Sequence, residues 1–495
     1  MMRVALAVSL GAVAAIAQEV VTVQLPEGSQ ATGYLCVDVD GDGLRDVAIA
    51  SRDRELKRRY LQVHAAQSAS PRLRGEPVAP PYAAEADVIA FAFADVDAAA
   101  GRELVLCTAE KVVAALRTAD GSFEYRPIAD VRLLWSAADR SRLLPLRDAC
   151  VDADGDGRDD LLLPEPDGAV LLMSAGGAEG ARRVELALPT WRNPITSGDG
   201  GSQFLVNRLK LEFRSPDAEG EGRRRSGGVM LESAARAPVA TLLDIDGDGK
   251  SELVAMRNGA LWSASVRGAA APPPIRVPMP TDRLKLFDPS ADVQAGDFDG
   301  DGRLDLLVTS SASRNDEIEV RMDYYRGRDD GLFGKADSRL RTQAHARPPQ
   351  LVDVDGDGKL DLVAMTLRVD ALRALTGGDD VTLEVQCNVF RGTGERFVQP
   401  AMLARVLRVP SKRERGGGAF LHVLPGDRDG RAALLHRDGD ELCLDTFEGD
   451  AGSLRFGATK VTQKLPAECR LELLDEATGL VAVASAGQVL LVRMR

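Results

Sequence analysis

Asp353–Asp361 reads DVDGDGKLD. Four carboxylates stand at alternating positions, Asp353, Asp355, Asp357 and Asp361, with Gly356 and Gly358 between them. A tightly coiled loop with Asp at positions 1, 3 and 5 aims three side chains at one point, and a carbonyl at position 7, here from Lys359, adds a fourth oxygen. Hard divalent cations such as Ca²⁺ take six to eight such oxygens. Glycine supplies the positive φ that the coil demands. The next residues, LDLVAM, are apolar strand formers, so the loop feeds directly into a β-strand.

The pattern recurs. Full copies begin at Asp38 (DVDGDGLRD), Asp152 (DADGDGRDD), Asp244 (DIDGDGKSE), Asp297 (DFDGDGRLD) and Asp353. The expected ligands are Asp38, Asp40, Asp42, Leu44 and Asp46 in the first, and Asp152, Asp154, Asp156, Arg158 and Asp160 in the second. The third offers Asp244, Asp246, Asp248, Lys250 and Glu252, and the fourth Asp297, Asp299, Asp301, Arg303 and Asp305. The fifth offers Asp353, Asp355, Asp357, Lys359 and Asp361, with the position-7 residue contributing its carbonyl in every case. Degenerate copies start at Asp95, near Asp427 and at Asp475.

Successive starts are 57, 57, 92, 53, 56, 74 and 48 residues apart. A period near 55 is about the length of four short strands with their turns, the unit of a propeller blade. The expectation is therefore an all-β chain, a β-propeller of four-stranded blades, eight by count, or seven if the Asp475 copy is chance similarity. Each unit places a short apolar strand before its loop and two or three more after it. The last unit, LVAVAS and QVLLVRM, is one strand short, whereas EVVTVQL (19–25) precedes the first unit with nothing local to pair with. That N-terminal strand is expected to complete the last sheet. The 92-residue spacing implies an insertion at about 189–238, containing FLVNRLKLEF and the charged tract GEGRRRSGG.

An EF-hand is excluded by position 12, which is Ile49, Leu163, Ala255, Val308 or Ala364, none of them able to ligate. Here the cage closes at position 9 and the chain leaves as a strand. With its strong loops at blade spacing, the sequence resembles the FG-GAP/VCBS repeat proteins, relatives of the N-terminal propellers of integrin α subunits. In that family the loop joins the first two strands of a blade and binds Ca²⁺, so the resemblance implies the propeller and about five Ca²⁺ sites. It names no ligand, because one fold hosts many functions.

Residues 1–17 read as a secretory signal: one Arg, an apolar stretch from Val4 to Ile16, small residues at Ala15 and Ala17, and cleavage before Gln18. Residues 18–495 then form a single propeller that is secreted, periplasmic or at the cell surface. No later segment is apolar enough over bilayer length to span a membrane. Hydrophobic content of 44% with 28% charged residues is globular. The formal charge of −13 argues against nucleic acid as a partner; five Ca²⁺, at +10, would cancel most of it. The six Cys show no CxxC and no short-spaced framework, so they read as small core residues.

Two functions compete. A non-catalytic scaffold would present loops to a protein or glycan partner, as a monomer with structural Ca²⁺. A polysaccharide lyase or hydrolase would instead need a base and charge-neutralising groups converging in the central channel. Four scattered His residues and the absence of GxSxG, P-loop and dinucleotide motifs favour the scaffold.

Overall fold

The computed structural model describes residues 19–494 except 54, 56, 70–71, 97–100, 118–122, 134–142, 147–148, 154, 166–167, 174–181, 187–192, 195–202, 214–226, 237–238, 244–251, 258–259, 265–274, 278–291, 315–316, 329–332, 334, 344, 346–347, 368–380, 412–419, 427–430, 450–451 and 467. Among these the fold is all-β, without a helix.

Among the described residues eight sheets of four or five strands follow one another along the chain, with a smaller ninth between two of them. Sheet 1 comprises Ser29–Val37, Asp46–Asp53, Arg59–His64 and Tyr82–Ala84. Sheet 2 comprises Ala90–Ala94, Glu103–Cys107, Lys111–Arg117 and Phe123–Asp130, with Leu144–Pro145 added parallel to its first strand. Sheet 3 runs from Cys150–Val151 through Asp160–Glu165 and Gly168–Met173 to Arg182–Leu186, and sheet 4 from Val239–Leu243 through Glu252–Arg257 and Ala260–Ala264 to Ile275–Val277. Sheet 5 holds Asp292–Gly296, Asp305–Arg314, Glu317–Tyr325 and Ser338–Gln343. Sheet 6 holds Gln350–Val352, Asp361–Leu367, Val381–Phe390 and Leu403–Ser411. Sheet 7 holds Leu421–Leu424, Ala433–Asp438, Glu441–Glu448 and Arg455–Lys464. Between sheets 3 and 4 a three-stranded sheet is formed by Asn193–Pro194, Gln203–Phe213 and Gly227–Arg236.

Sheet 8 has three strands from the end of the chain, Arg470–Asp475, Leu480–Ser485 and Gln488–Arg493. Its fourth is the N-terminal strand Glu19–Gln24, which pairs antiparallel with Gln488–Arg493 from Glu19↔Arg493 to Gln24↔Gln488. The expectation for EVVTVQL is met: its backbone groups find the one ladder that lacked an outer strand. A strand edge left bare would expose a row of unpaired N–H and C=O groups.

The second strand of each sheet carries a continuous apolar run, such as VAIA in sheet 1 or LVAM in sheet 6. DLVAMTL of sheet 6 is buried at six consecutive positions, and DVAIASRD of sheet 1 likewise. Alternation is lost because both faces are covered by neighbouring sheets. Leu35, Ala48 and Leu61 of sheet 1 pack with Phe91, Phe93 and Leu106 of sheet 2, and Ala92, Val105 and Cys107 of sheet 2 with Leu161, Leu163 and Val170 of sheet 3. Val254 of sheet 4 joins Leu306 and Val308 of sheet 5. Leu307, Met322 and Tyr324 of sheet 5 meet Leu362, Ala364 and Phe390 of sheet 6, and Val363, Val385 and Cys387 meet Leu434 and Phe447 of sheet 7. Leu435 and Leu444 pack on Val481, Val483 and Val492 of sheet 8. Finally, Val23, Leu480 and Leu491 of sheet 8 pack on Tyr34, Val47 and Ile49 of sheet 1. The packed order therefore runs 4-5-6-7-8-1-2-3, with the two ends of the chain in its middle.

Cys36, Cys107, Cys150, Cys387 and Cys443 form no disulfide. Cys107, Cys387 and Cys443 are buried, as small core residues are expected to be.

Candidate metal loops and their clamps

Each strong loop enters its sheet at the same place. Position 9, whether Asp46, Asp160, Glu252, Asp305 or Asp361, is the first residue of the second strand. The loops at Asp38, Asp152, Asp297 and Asp353 also share one coil. The glycines at positions 4 and 6 have φ of 78° and 83° in the first, 76° and 86° in the second, and 78° and 83° in the last two. Only glycine adopts this left-handed backbone without strain, which explains the spacing read from the sequence.

The position-1 carboxylate organises the coil. Asp353 accepts the Gly356 N–H at 2.8 Å on Oδ1 and the Gly358 N–H at 2.9 Å on Oδ2. Asp38, Asp152 and Asp297 do the same for their own glycines. Position 5 accepts the N–H of position 7, as Asp357 does from Lys359 at 3.0 Å. Three carboxylate groups result, with one oxygen from each residue lying within 4.8 Å of the others: Asp38, Asp40 and Asp42; Asp297, Asp299 and Asp305; and Asp353, Asp355 and Asp357. Carboxylates at this distance repel by several kcal/mol at a dielectric near 20, and a hard cation held among them would relieve that repulsion.

Position 9 has a second task. Asp361 is fully buried; it accepts the Val354 N–H at 3.0 Å and the Gly392 N–H at 2.8 Å. Asp46 takes Val39 at 2.9 Å and Ala66 at 2.7 Å. Asp305 takes Phe298 at 3.0 Å, Gly327 at 2.8 Å and the Tyr324 hydroxyl at 3.0 Å. Each carboxylate thus ties the start of its loop to the end of the third strand. Burial pushes the Asp305 and Asp361 carboxyls up to about 6, against the pull of these N–H donors.

Gly327 and Gly392 approach the backbone closely. A Cβ at Gly327 would lie 2.6 Å from the Leu304 carbonyl oxygen, and one at Gly392 would overlap that of Leu360. The residue before each is arginine. Arg326 Nε donates to Asp299 Oδ2 at 2.5 Å and its second nitrogen reaches Asp301 at 3.3 Å; Arg391 pairs with Asp357 at 3.2 Å. The ligand set drawn from sequence did not include these residues. The visible signal is the repeated dipeptide in YYRG (324–327) and VFRG (389–392).

The degenerate loops at Asp475 and Asp95 each engage an arginine. Asp475, 5% exposed, accepts Arg45 at 2.9 Å and the Thr478 hydroxyl at 2.6 Å. In the Asp95 loop, Glu103 at position 9 still accepts the Val96 N–H at 3.0 Å, and Arg102 bridges to Asp159 of the next loop at 2.9 Å. Where sheets 8, 1 and 2 meet, a cavity of about 520 Å³ is lined by Tyr34, Cys36, Asp38, Arg45 and Arg102, among others. The ligands expected at Asp154, Asp244, Asp246, Asp248 and Lys250, and the weak loop at Asp427, lie outside the described residues.

Together these features define a class: an all-β repeat protein of the β-propeller type, in which the strong loops enter four-stranded antiparallel sheets through an Asp-rich coil. Residues 244–308 and 297–364 match the model of the FG-GAP-like repeat family. No curated protein matches the chain. Among solved structures it is similar to an Agrocybe aegerita lectin with specific recognition of non-reducing terminal N-acetylglucosamine, at 13% identity and a TM-score of 0.41, covering 96% of this chain and 99% of the lectin. It is also similar to the Nup133 β-propeller domain of Vanderwaltozyma polyspora, at 10% identity and a TM-score of 0.32, covering 95% and 99%. Among the described residues no helix is long and apolar enough to cross a membrane.

Proposed function

We propose that the chain is an exported, monomeric, eight-bladed propeller, closed by contact between sheets 3 and 4, that acts as a calcium-stapled, non-catalytic scaffold for a protein or glycan partner. The observation that carries this reading is the recurrence of one Asp-rich coil at the same place in sheets 1, 3, 5 and 6. Carboxylate clusters stand at Asp38, Asp297 and Asp353, each at the entry to a second strand. A staple must be repeated wherever a blade needs it, whereas a catalytic centre is needed once.

The donor set suits Ca²⁺. Asp38, Asp40 and Asp42, or Asp353, Asp355 and Asp357, supply carboxylate oxygens without nitrogen or sulfur. Bound ions would neutralise mutual repulsion and tie each loop to the strand that follows. At extracellular-type affinity, with Kd near 10⁻⁴ M, 1 mM Ca²⁺ adds roughly 1.4 kcal/mol per site. The partner would be met by surfaces that differ between blades, since loops on a rigid scaffold carry recognition.

Isothermal titration of the metal-stripped protein with Ca²⁺, with thermal melting in parallel, tests the staple. Binding of several ions with a rise in Tm supports it, and an identical melt in EGTA and in Ca²⁺ removes it. Export is tested by N-terminal sequencing of protein from the secreting host, expected to begin at Gln18.

A further inference from the structure

Ala66, Gly327 and Gly392 occupy equivalent places. Each is the second residue after the third strand of its sheet, and each donates its N–H to the position-9 carboxylate, Asp46, Asp305 or Asp361. The residue just before is therefore also equivalent: Ala65 in sheet 1, Arg326 in sheet 5 and Arg391 in sheet 6. The shared hydrogen bond fixes where that side chain starts, next to the loop's carboxylates. Arg326 uses the position to pair with Asp299, 3% exposed, and Asp301. Arg391 pairs with Asp357. Ala65 has no charge to offer. Arg45, within the first loop, is turned away to Asp475 of sheet 8. Among the described residues Asp38, Asp40 and Asp42 accept hydrogen bonds only from backbone N–H groups of their own loop.

We infer that Arg326 and Arg391 are resident counter-cations of the Asp297 and Asp353 loops, and that the Asp38 loop, lacking an equivalent arginine, depends on a divalent cation more than those two loops do. A guanidinium placed by the backbone removes one unit of negative charge from its cluster and occupies an oxygen that an ion would share. The loops of sheets 5 and 6 are thereby partly self-neutralised, while among the described residues no guanidinium is bonded to Asp38, Asp40 or Asp42 of sheet 1. For its metal arm this inference rests on the calcium reading; its metal-free arm does not.

In the metal-free arm, melting is followed in EGTA for Asp40→Asn and Asp299→Asn. Asparagine keeps the Oδ1 acceptor that each aspartate offers to its loop N–H, so only charge is removed. Asp40→Asn is expected to raise Tm by relieving repulsion, and Asp299→Asn to lower it by stripping Arg326 of its partner. Shifts of the same sign overturn the inference. In the metal arm, calorimetric titration with Ca²⁺ compares wild type with Ala65→Arg, Arg326→Gln and Arg391→Gln. Ala65→Arg should weaken one site roughly tenfold, the effect of one unit charge about 5 Å from a divalent ion in water, and each glutamine variant should tighten one site similarly. Unchanged affinities overturn the inference. A wild type that takes up no Ca²⁺ removes the calcium reading, while the melts in EGTA still decide the role of the arginines.

Discussion

The guanidinium of Arg45 donates to the carboxylate of Asp475, 430 residues further along the chain, at 2.9 Å. This bond joins the loop of sheet 1 to the degenerate loop of sheet 8, where the two ends of the chain meet.

Replacing Arg45 by Gln is expected to destabilise the fold by about 1–2 kcal/mol. Most of that comes from leaving the buried Asp475 with Thr478 alone, since Arg45 itself is 63% exposed and its pairing is screened. Urea denaturation in EGTA and in Ca²⁺ should give the same loss, because the bond contains no metal. A loss confined to Ca²⁺ buffer would place Arg45 in the metal site instead.

Asp361→Asn should cost about 2–3 kcal/mol in metal-free buffer, well above Asp355→Asn. Asp361 satisfies two N–H donors, Val354 and Gly392, and asparagine offers one acceptor oxygen while turning an NH₂ toward the other. Asp355 accepts only the Asp357 N–H, which an asparagine Oδ1 still serves. Equal losses in chemical denaturation would refute the clamp.

Gly392→Ala is expected to destabilise by roughly 1–3 kcal/mol through overpacking, since its Cβ would run into the Leu360 carbonyl. Gly358→Ala should cost through left-handed backbone alone, at φ of 83° with open space around it. The two are separable in metal-free melts: only Gly392→Ala should also loosen the Asp361 clamp, seen as faster amide exchange at Val354.

His345 gives a pH dependence. Burial lowers its pKa to about 4, and its Nε2 lies 2.7 Å from the Thr342 hydroxyl. Between about pH 6.5, where an unfolded histidine titrates, and pH 4, the unfolded chain binds the extra proton and the folded chain does not. The contribution of His345 is therefore full above pH 6.5 and falls as pH drops, by about 3 kcal/mol once both states are protonated, while the raised carboxyls of Asp305 and Asp361 act with the opposite sign over the same range. His345→Gln should flatten this part of the stability profile in urea titrations at pH 4–7.

Much of the fold was legible because it is local. Aspartates at alternate positions with two glycines dictate a coil whose hydrogen bonds span two to five residues. The apolar run after each loop could only be a strand covered on both faces. Even the pairing of Glu19–Gln24 with Gln488–Arg493 followed from counting, because one unit lacked a strand and one strand lacked a unit.

What the sequence by itself determined is the repeating unit: where the described loops coil and where the strands after them begin. Tertiary structure decided which cations the protein supplies from its own side chains. Arg326 reaches Asp299 from 27 residues away, Arg391 reaches Asp357 from 34, and Arg45 leaves its own loop for Asp475. The reason is one of range. A coil closes through backbone bonds a few residues long, so its geometry is written in spacing. A guanidinium at the end of a long side chain goes wherever strand pairing and sheet packing bring a carboxylate, and no spacing encodes that.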